Sequence, residues 1–364
     1  KYFNFGGSNV TQTGTEANPY TTISQFDSNV TAGDTVYVTG TLSTTMNIGF
    51  VGTASAPTTI ARWSGQSALS VSVTGGSGIA MTSAQYVNLS GVSTTSSAAY
   101  GLYILNSSNI TLSTITATSS AGSAVFISNG DSLTSSAGTG VVITEGSTNG
   151  TISNSTVSNT GSNANGVFIG KEFSSTTGSN TGWTFDDVDI TATGNAGFEC
   201  SSSSNNLTLK NSTITGATGA SGHGINISQC DSVTLQNNTT HTNAKNGVKV
   251  ITASNLTITG STSYSNTQNG FVLMTITTGS FTSNTAYSNT QSGISLSGTG
   301  SSNVTISGNT VYSNTQSGIV ATAQGTGLTV NGNKSYGHTS SDQTSGFGLS
   351  IASTSPTLTN NHSY

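Results

Sequence analysis

Charge is what this sequence has least of. Asp, Glu, Lys and Arg make up 5% of its 364 residues, against about 25% in an ordinary soluble domain. Seven residues are Lys or Arg, Arg62 is the one arginine, and the net charge is −5. No basic cluster is present, which excludes nucleic acid and anionic membrane surfaces as partners, because both are held by concentrated positive charge. No run approaches the ~18 apolar residues that read as a membrane span. No helical periodicity long enough for a crossover helix is present, nor a phosphate loop or a nucleophile elbow. His223, His241, His338 and His362 lack metal-ligand spacing. Hydrophobic residues are 32% of the chain, too few for a wide globular core and enough for a narrow column.

What is present is a repeat. Residues 263–271 read Ser-Tyr-Ser-Asn-Thr-Gln-Asn-Gly-Phe, and close copies stand at 286–294 and 311–319. Worn copies precede and follow them. Glycines fall at 247, 270, 293, 318 and 346, in steps of 23, 23, 25 and 28. A fixed period of this size marks a solenoid whose repeats bury their apolar faces against one another. Each repeat holds two short runs of period-2 alternation, one led by the glycine (Gly247-Val248-Lys249-Val250) and one of the form Leu256-Thr257-Ile258. Two or three short strands per turn, without crossover helices, predict a parallel β-helix. The glycine-led strand recurs at Gly78, Gly101, Gly166, Gly197 and Gly224, with Ala124 in the glycine position of one copy. That predicts about ten to twelve coils at the usual strand spacing. The spacing widens between 124 and 197, so loops are expected near 131–140 and 171–181.

The N-terminal residues carry a resemblance. Asn18-Pro19-Tyr20-Thr21-Thr22-Ile23 precedes a short predicted helix, then come Ala32-Gly33-Asp34-Thr35-Val36-Tyr37-Val38 and Ser55-Ala56-Pro57-Thr58-Thr59-Ile60. This series resembles the opening of the pectate-lyase-like right-handed parallel β-helix superfamily. The resemblance implies an all-β fold, a single-stranded right-handed parallel β-helix. It implies no one activity, since the superfamily includes lyases, hydrolases, epimerases, adhesins and phage spikes. Residues 1–60 are expected to form an N-terminal strand, a cap and the first coils, and residues 61–364 one continuous β-helix body.

Stacked coils turn sequence positions into columns. Asn238, Ser261, Asn284, Asn309, Asn333 and Asn361 share one, and Asn243, Asn266, Asn289 and Asn314 another; both are expected to bond from coil to coil. Tyr264, Tyr287, Tyr312, Tyr336 and Tyr364, with His241 before them, predict an aromatic ladder. Thr208, Thr234, Thr257, Thr305, Thr329 and Thr357 also align. Such rows occur on ice-binding β-helices, but the neighbouring column is mixed, and Thr is simply a good strand former; ice binding is a minor alternative.

Chemistry is sparse. Asp186, Asp187 and Asp189 form the densest acidic cluster. The resemblance implies calcium-binding Asp on such a strand in lyases and Asp pairs in hydrolases, through hard oxygen ligands or a general acid and base. The middle position of the glycine-led strand gives Glu199, Asn226 and Lys249 on successive turns, a carboxylate and an amine able to grip a uronate and move a proton. Scattered solvated charges are the competing reading, and the sparseness of charge favours it. Cys200 lies three residues after its glycine and Cys230 six after its own, an offset expected to leave both as buried free thiols. Sixteen Asn-X-Ser/Thr sequons occur, about what chance gives in a chain this rich in Asn, Ser and Thr, so glycosylation is permitted rather than indicated.

The start at Lys1 without a signal peptide fits a mature secreted protein, and no capping segment follows the last Asn-and-Tyr coil. The expectation is a secreted or cell-surface, non-catalytic structural or adhesive protein assembling head to tail into a filament. The expected contacts are Tyr2, Phe3, Phe5, Leu349, Ile351, Leu358 and Tyr364. Further copies of the chain are the expected partner, with surface glycans second. The alternative is a polysaccharide lyase, epimerase or glycoside hydrolase using Asp186, Asp187, Glu199 and Lys249. No cofactor is expected, and calcium at Asp186, Asp187 and Asp189 belongs to that alternative alone.

Overall fold

Alternation of small polar and β-branched residues gives short strands, and the strands stack in parallel, each on its counterpart one coil on. The computed structural model describes residues 1–119, 123–128, 140–144, 146–159, 164–170, 179–322, 325–339 and 356–363. They form a parallel β-solenoid of about 12 turns, with one α-helix, Ile23–Asn29, among the described residues. The Cα packing divides the chain into two units, residues 1–158 with 171–188, and residues 159–170 with 189–364.

The first unit begins with the strand Tyr2–Phe5, which pairs in parallel with Thr35–Leu42 in the register Tyr2↔Tyr37, Phe3↔Val38. The helix starts at a capping box in which Thr22 and Gln25 satisfy each other's backbone donors, as Thr and Gln at this spacing favour. Its buried Phe26 meets Phe3 and Phe5 at ring-centroid distances of 5.4 and 6.3 Å. Phe3 and Phe5 are therefore fully buried within their own chain. This corrects their expected place in a self-assembly surface: alternation turns both rings inward, and they close the first coil. Tyr2 faces outward against Tyr37 and Trp63. Successive coils then stack Met46–Ile48, Ile79–Thr82, Leu102–Leu105, Val125–Ser128 and Val141–Thr144. A second ladder runs from Thr35–Leu42 through Thr58–Arg62, Gln85–Ser90 and Ser108–Ser113. A third runs from Leu69–Val73 through Val92–Ser96 to Thr116–Ser119. The expected loops at 131–140 and 171–181 fall mainly outside the described residues; of them Thr181 bridges Thr148.

The second unit is the regular one. Phe198–Lys210, Ile225–Gln236, Val248–Thr259 and Phe271–Thr282 stack coil on coil. Each of these long strands bends where one or two residues adopt positive φ, as at Thr252 and Asn255 or at Thr275 and Thr278. The bends place the two halves of one strand in different sheets. A third sheet stacks Thr213–Thr215, Thr239–His241, Thr262–Tyr264, Thr285–Tyr287, Thr310–Tyr312 and Lys334–Tyr336. Inside, Ile225, Val248, Phe271, Ile294 and Ile319 form one buried column and Leu235, Ile258, Phe281, Ile306 and Val330 another.

The repeat glycines answer a packing need. A Cβ at Gly247 would lie 1.9 Å from Ser263 Oγ, and one at Gly293 would lie 2.1 Å from Val311 Cγ1. Neither has positive φ. The start of each coil's first strand presses against that coil's own third strand, and only a residue without a side chain fits.

The cysteines depart from expectation. Cys200 and Cys230 form a disulfide with Cα atoms 6.4 Å apart. Counting from the glycines predicted too large an offset because it treated the strands as straight. Gln229 and Ser232 both adopt positive φ on either side of Cys230, and the facing strand shifts register between Ser201 and Ser204. The corner turns Cys230 inward to meet Cys200, and both are fully buried. At the far end, Leu358 lies in Thr357–Thr359 and is 44% exposed. Leu349, Ile351 and Tyr364, expected to join it in self-assembly, lie outside the described residues.

Candidate functional site

Lys249 is one of the few charged side chains, and the register places it two strands from Glu199. The pairings Phe168↔Glu199, Glu199↔Asn226, Asn226↔Lys249 and Lys249↔Val272 set these residues side by side on one outward face of the second unit. Each occupies the middle of a glycine-led strand, where alternation points it away from the core. The sequence reading of Glu199, Asn226 and Lys249 as neighbours is thus realised.

Their surroundings change their chemistry. Burial pushes the Glu199 carboxyl above the usual range; hydrogen bonds from Asn165 and Asn226 and the positive charge of Lys249 oppose this without cancelling it. Such a carboxyl exchanges protons closer to neutral pH than an exposed glutamate does. Asn226 Oδ1 is buried and has no hydrogen-bond partner. An unsatisfied buried acceptor is costly, and one beside an ionisable pair is a place where a ligand donor would be welcomed.

Behind this column sits His223, 4% exposed. Burial first, then the charges of Lys249 and Lys245, lower its pKa to about 4. Its Nδ1 accepts from the backbone N–H of Asn246 at 3.3 Å, while Asn246 Oδ1 accepts from the backbone N–H of Asn269 at 3.0 Å. Asn269 Oδ1 in turn accepts from Ser292. His223 therefore begins a third amide ladder, one the sequence reading missed. The signal was legible: His223, Asn246, Asn269 and Ser292 each stand immediately before a repeat glycine. The disulfide lies directly beneath the face, since Cys200 follows Glu199 in the same strand.

Of the acidic cluster, Asp189 does not join this face. Asp189 pairs with Thr213, in a different sheet from Glu199, and is exposed. Asp186 and Asp187 belong to the first unit; Asp187 is exposed at a corner with φ of 57°. Among the described residues no group of three or more His, Cys, Asp or Glu is placed to hold a metal ion.

The predicted columns are in place. His241, Tyr264, Tyr287, Tyr312 and Tyr336 stack with centroids 4.8, 4.9, 4.9 and 5.3 Å apart and ring planes within 11°. Each ring covers its neighbour's face, so the ladder offers edges rather than the open faces a stacking sugar needs. No helix among the described residues is long and apolar enough to cross a membrane.

The comparisons with known proteins agree with this fold. A family model described as right handed beta helix region matches residues 174–335. The fold is a right-handed parallel β-helix. Among solved structures, the periplasmic alginate epimerase AlgG is similar, with a TM-score of 0.54 and 14% identity over 91% of this chain and 77% of that one. The pectate lyase Pel9A is similar with a TM-score of 0.52 and 16% identity over 85% of this chain and 78% of that one. At these identities the likeness is one of fold. A search of curated protein sequences finds no match. The resemblance read from the N-terminal motifs is borne out as fold.

Proposed function

We propose that this protein is an extracytoplasmic polysaccharide-processing β-helix acting on uronate-containing chains, by proton transfer in a lyase or epimerase reaction. The observation that carries the reading is the Glu199–Asn226–Lys249 column, with its raised carboxyl pKa and orphaned amide oxygen. Lys249 pairs with the sugar carboxylate, which acidifies the neighbouring C–H. Glu199 takes or returns that proton, and Asn226 orients a sugar hydroxyl through its unpaired Oδ1. The similar structures include an alginate epimerase and a pectate lyase, which supports the substrate class. A buried disulfide supports an oxidising compartment. Incubation with alginate, pectate and chondroitin, following both unsaturated product and solvent deuterium entering the sugar, tests the reading. Turnover that Glu199→Gln abolishes is expected; wild-type protein inert on all acidic polymers would overturn it.

A second reading is a non-catalytic structural or adhesive β-helix. It is supported by the unbroken tyrosine stack and by the near-absence of charge elsewhere. Filaments in electron micrographs of native material, together with inert wild-type protein, would favour it over the first.

A further inference from the structure

One edge of the second unit repeats a chemical pattern on alternate coils. At the corner between its first two sheets stand Asn206, Ser232, Asn255, Thr278 and Asn303, one per coil, and all five have φ between 51° and 63°. The three asparagines are exposed. Each opens an Asn-X-Thr triplet: Asn206-Leu207-Thr208, Asn255-Leu256-Thr257 and Asn303-Val304-Thr305. The left-handed corner suits Asn, the inward slot suits Leu or Val, and the third residue starts an outward row of Thr. Every second coil thus presents an acceptor amide, with roughly 10 Å between neighbours.

Two other sequons of this unit are closed by the fold. Asn238 and Asn333 are 1% and 0% exposed. Asn333 Nδ2 spends both hydrogens, on Ile306 O and Asn361 Oδ1, each at 2.9 Å. Asn238 Nδ2 donates to Leu209 O at 2.7 Å. A sugar on either nitrogen would remove an N–H from a buried ladder and have no room.

We propose that Asn206, Asn255 and Asn303 are N-glycosylation sites, forming a row of oligosaccharides along one edge. Two independent observations point the same way. The disulfide belongs to an oxidising compartment, where Asn-X-Thr triplets are modified. A chain with 5% charged residues also lacks the charge that ordinarily keeps a protein dispersed, and hydrophilic glycans supply the missing solubility. In the transfer, the bond from the sugar's anomeric carbon to the pyrophosphate of a lipid-linked oligosaccharide breaks. A bond from that carbon to Nδ2 forms, and the amide proton leaves with the lipid pyrophosphate. The assignment is independent of the Glu199 face and stands whether or not that face is catalytic.

The test is mass spectrometry of the full-length protein isolated from its own organism. The intact mass should exceed that of the disulfide-bonded polypeptide. Amidase release of the sugars should convert Asn206, Asn255 and Asn303 to Asp, with Asn238 and Asn333 unchanged. An intact mass equal to the bare polypeptide would overturn the proposal, as would sugar on Asn238 or Asn333. Gln at all three positions should remove the added mass carried there and leave the circular dichroism spectrum unaltered; an unchanged mass would count against the assignment.

Discussion

Asn289 gives two hydrogen bonds to the single side-chain oxygen of Asn314: its backbone N–H and its Nδ2 both reach Oδ1 at 3.0 Å. Its own Oδ1 accepts the same pair from Asn266, at 3.1 and 3.0 Å, and its Nδ2 also reaches Ser263 O. One buried amide therefore satisfies two backbone groups of the preceding coil and a side-chain oxygen of the next. Asn289→Ala would leave the Asn266 N–H without its acceptor inside the corner. The expected cost is about 2–3 kcal/mol, seen as a lower denaturant midpoint.

His223 should make the fold acid-sensitive. Its folded-state pKa of about 4 lies below the ordinary 6.5, so between those values the unfolded chain binds more protons than the folded one. The stability it contributes is complete above about pH 6.5 and is lost as pH falls toward 4, at most about 3 kcal/mol. Protonation would also take away the Nδ1 acceptor used by Asn246. Melting temperatures measured across this window should fall steadily with acid. His223→Asn, which keeps an acceptor at the ladder's start, should flatten the slope.

Reduction of Cys200–Cys230 should loosen the coils it joins. The bridge closes a sequence separation of 30 residues, and cross-links of this kind contribute about 2–4 kcal/mol. Thermal unfolding with and without a thiol reductant measures the difference. Equal melting curves would show that the bridge contributes nothing beyond the packing around it.

Lys249 should be felt at Glu199. Its charge lowers a carboxyl that burial has raised, so Lys249→Ala should move the Glu199 titration further upward. Carbon-detected NMR of the Glu199 side-chain carboxyl reads this directly. A titration that stays in place, or moves down, would mean that the two groups are not electrically coupled. In the polysaccharide assay the same variant should lose roughly 10²-fold or more in kcat/KM.

Much of this was legible because the molecule repeats. A fixed spacing of glycines turns sequence distance into spatial adjacency, so the columns of Asn, Tyr and Thr, and the neighbourhood of Glu199, Asn226 and Lys249, could be read before any coordinate. Periodicity carries this because each residue's neighbours lie one period away. It carries nothing about direction at corners or about solvent. Only the tertiary structure decided that Gln229 and Ser232 turn Cys230 toward Cys200, and that Phe3 and Phe5 face inward to Phe26. Only it showed that burial shifts Glu199 up and His223 down. The glycines show the division most plainly. Their spacing announced the repeat, but the need for glycine at 293 is a contact with Val311, eighteen residues on, where a methyl group would meet a side chain already in place.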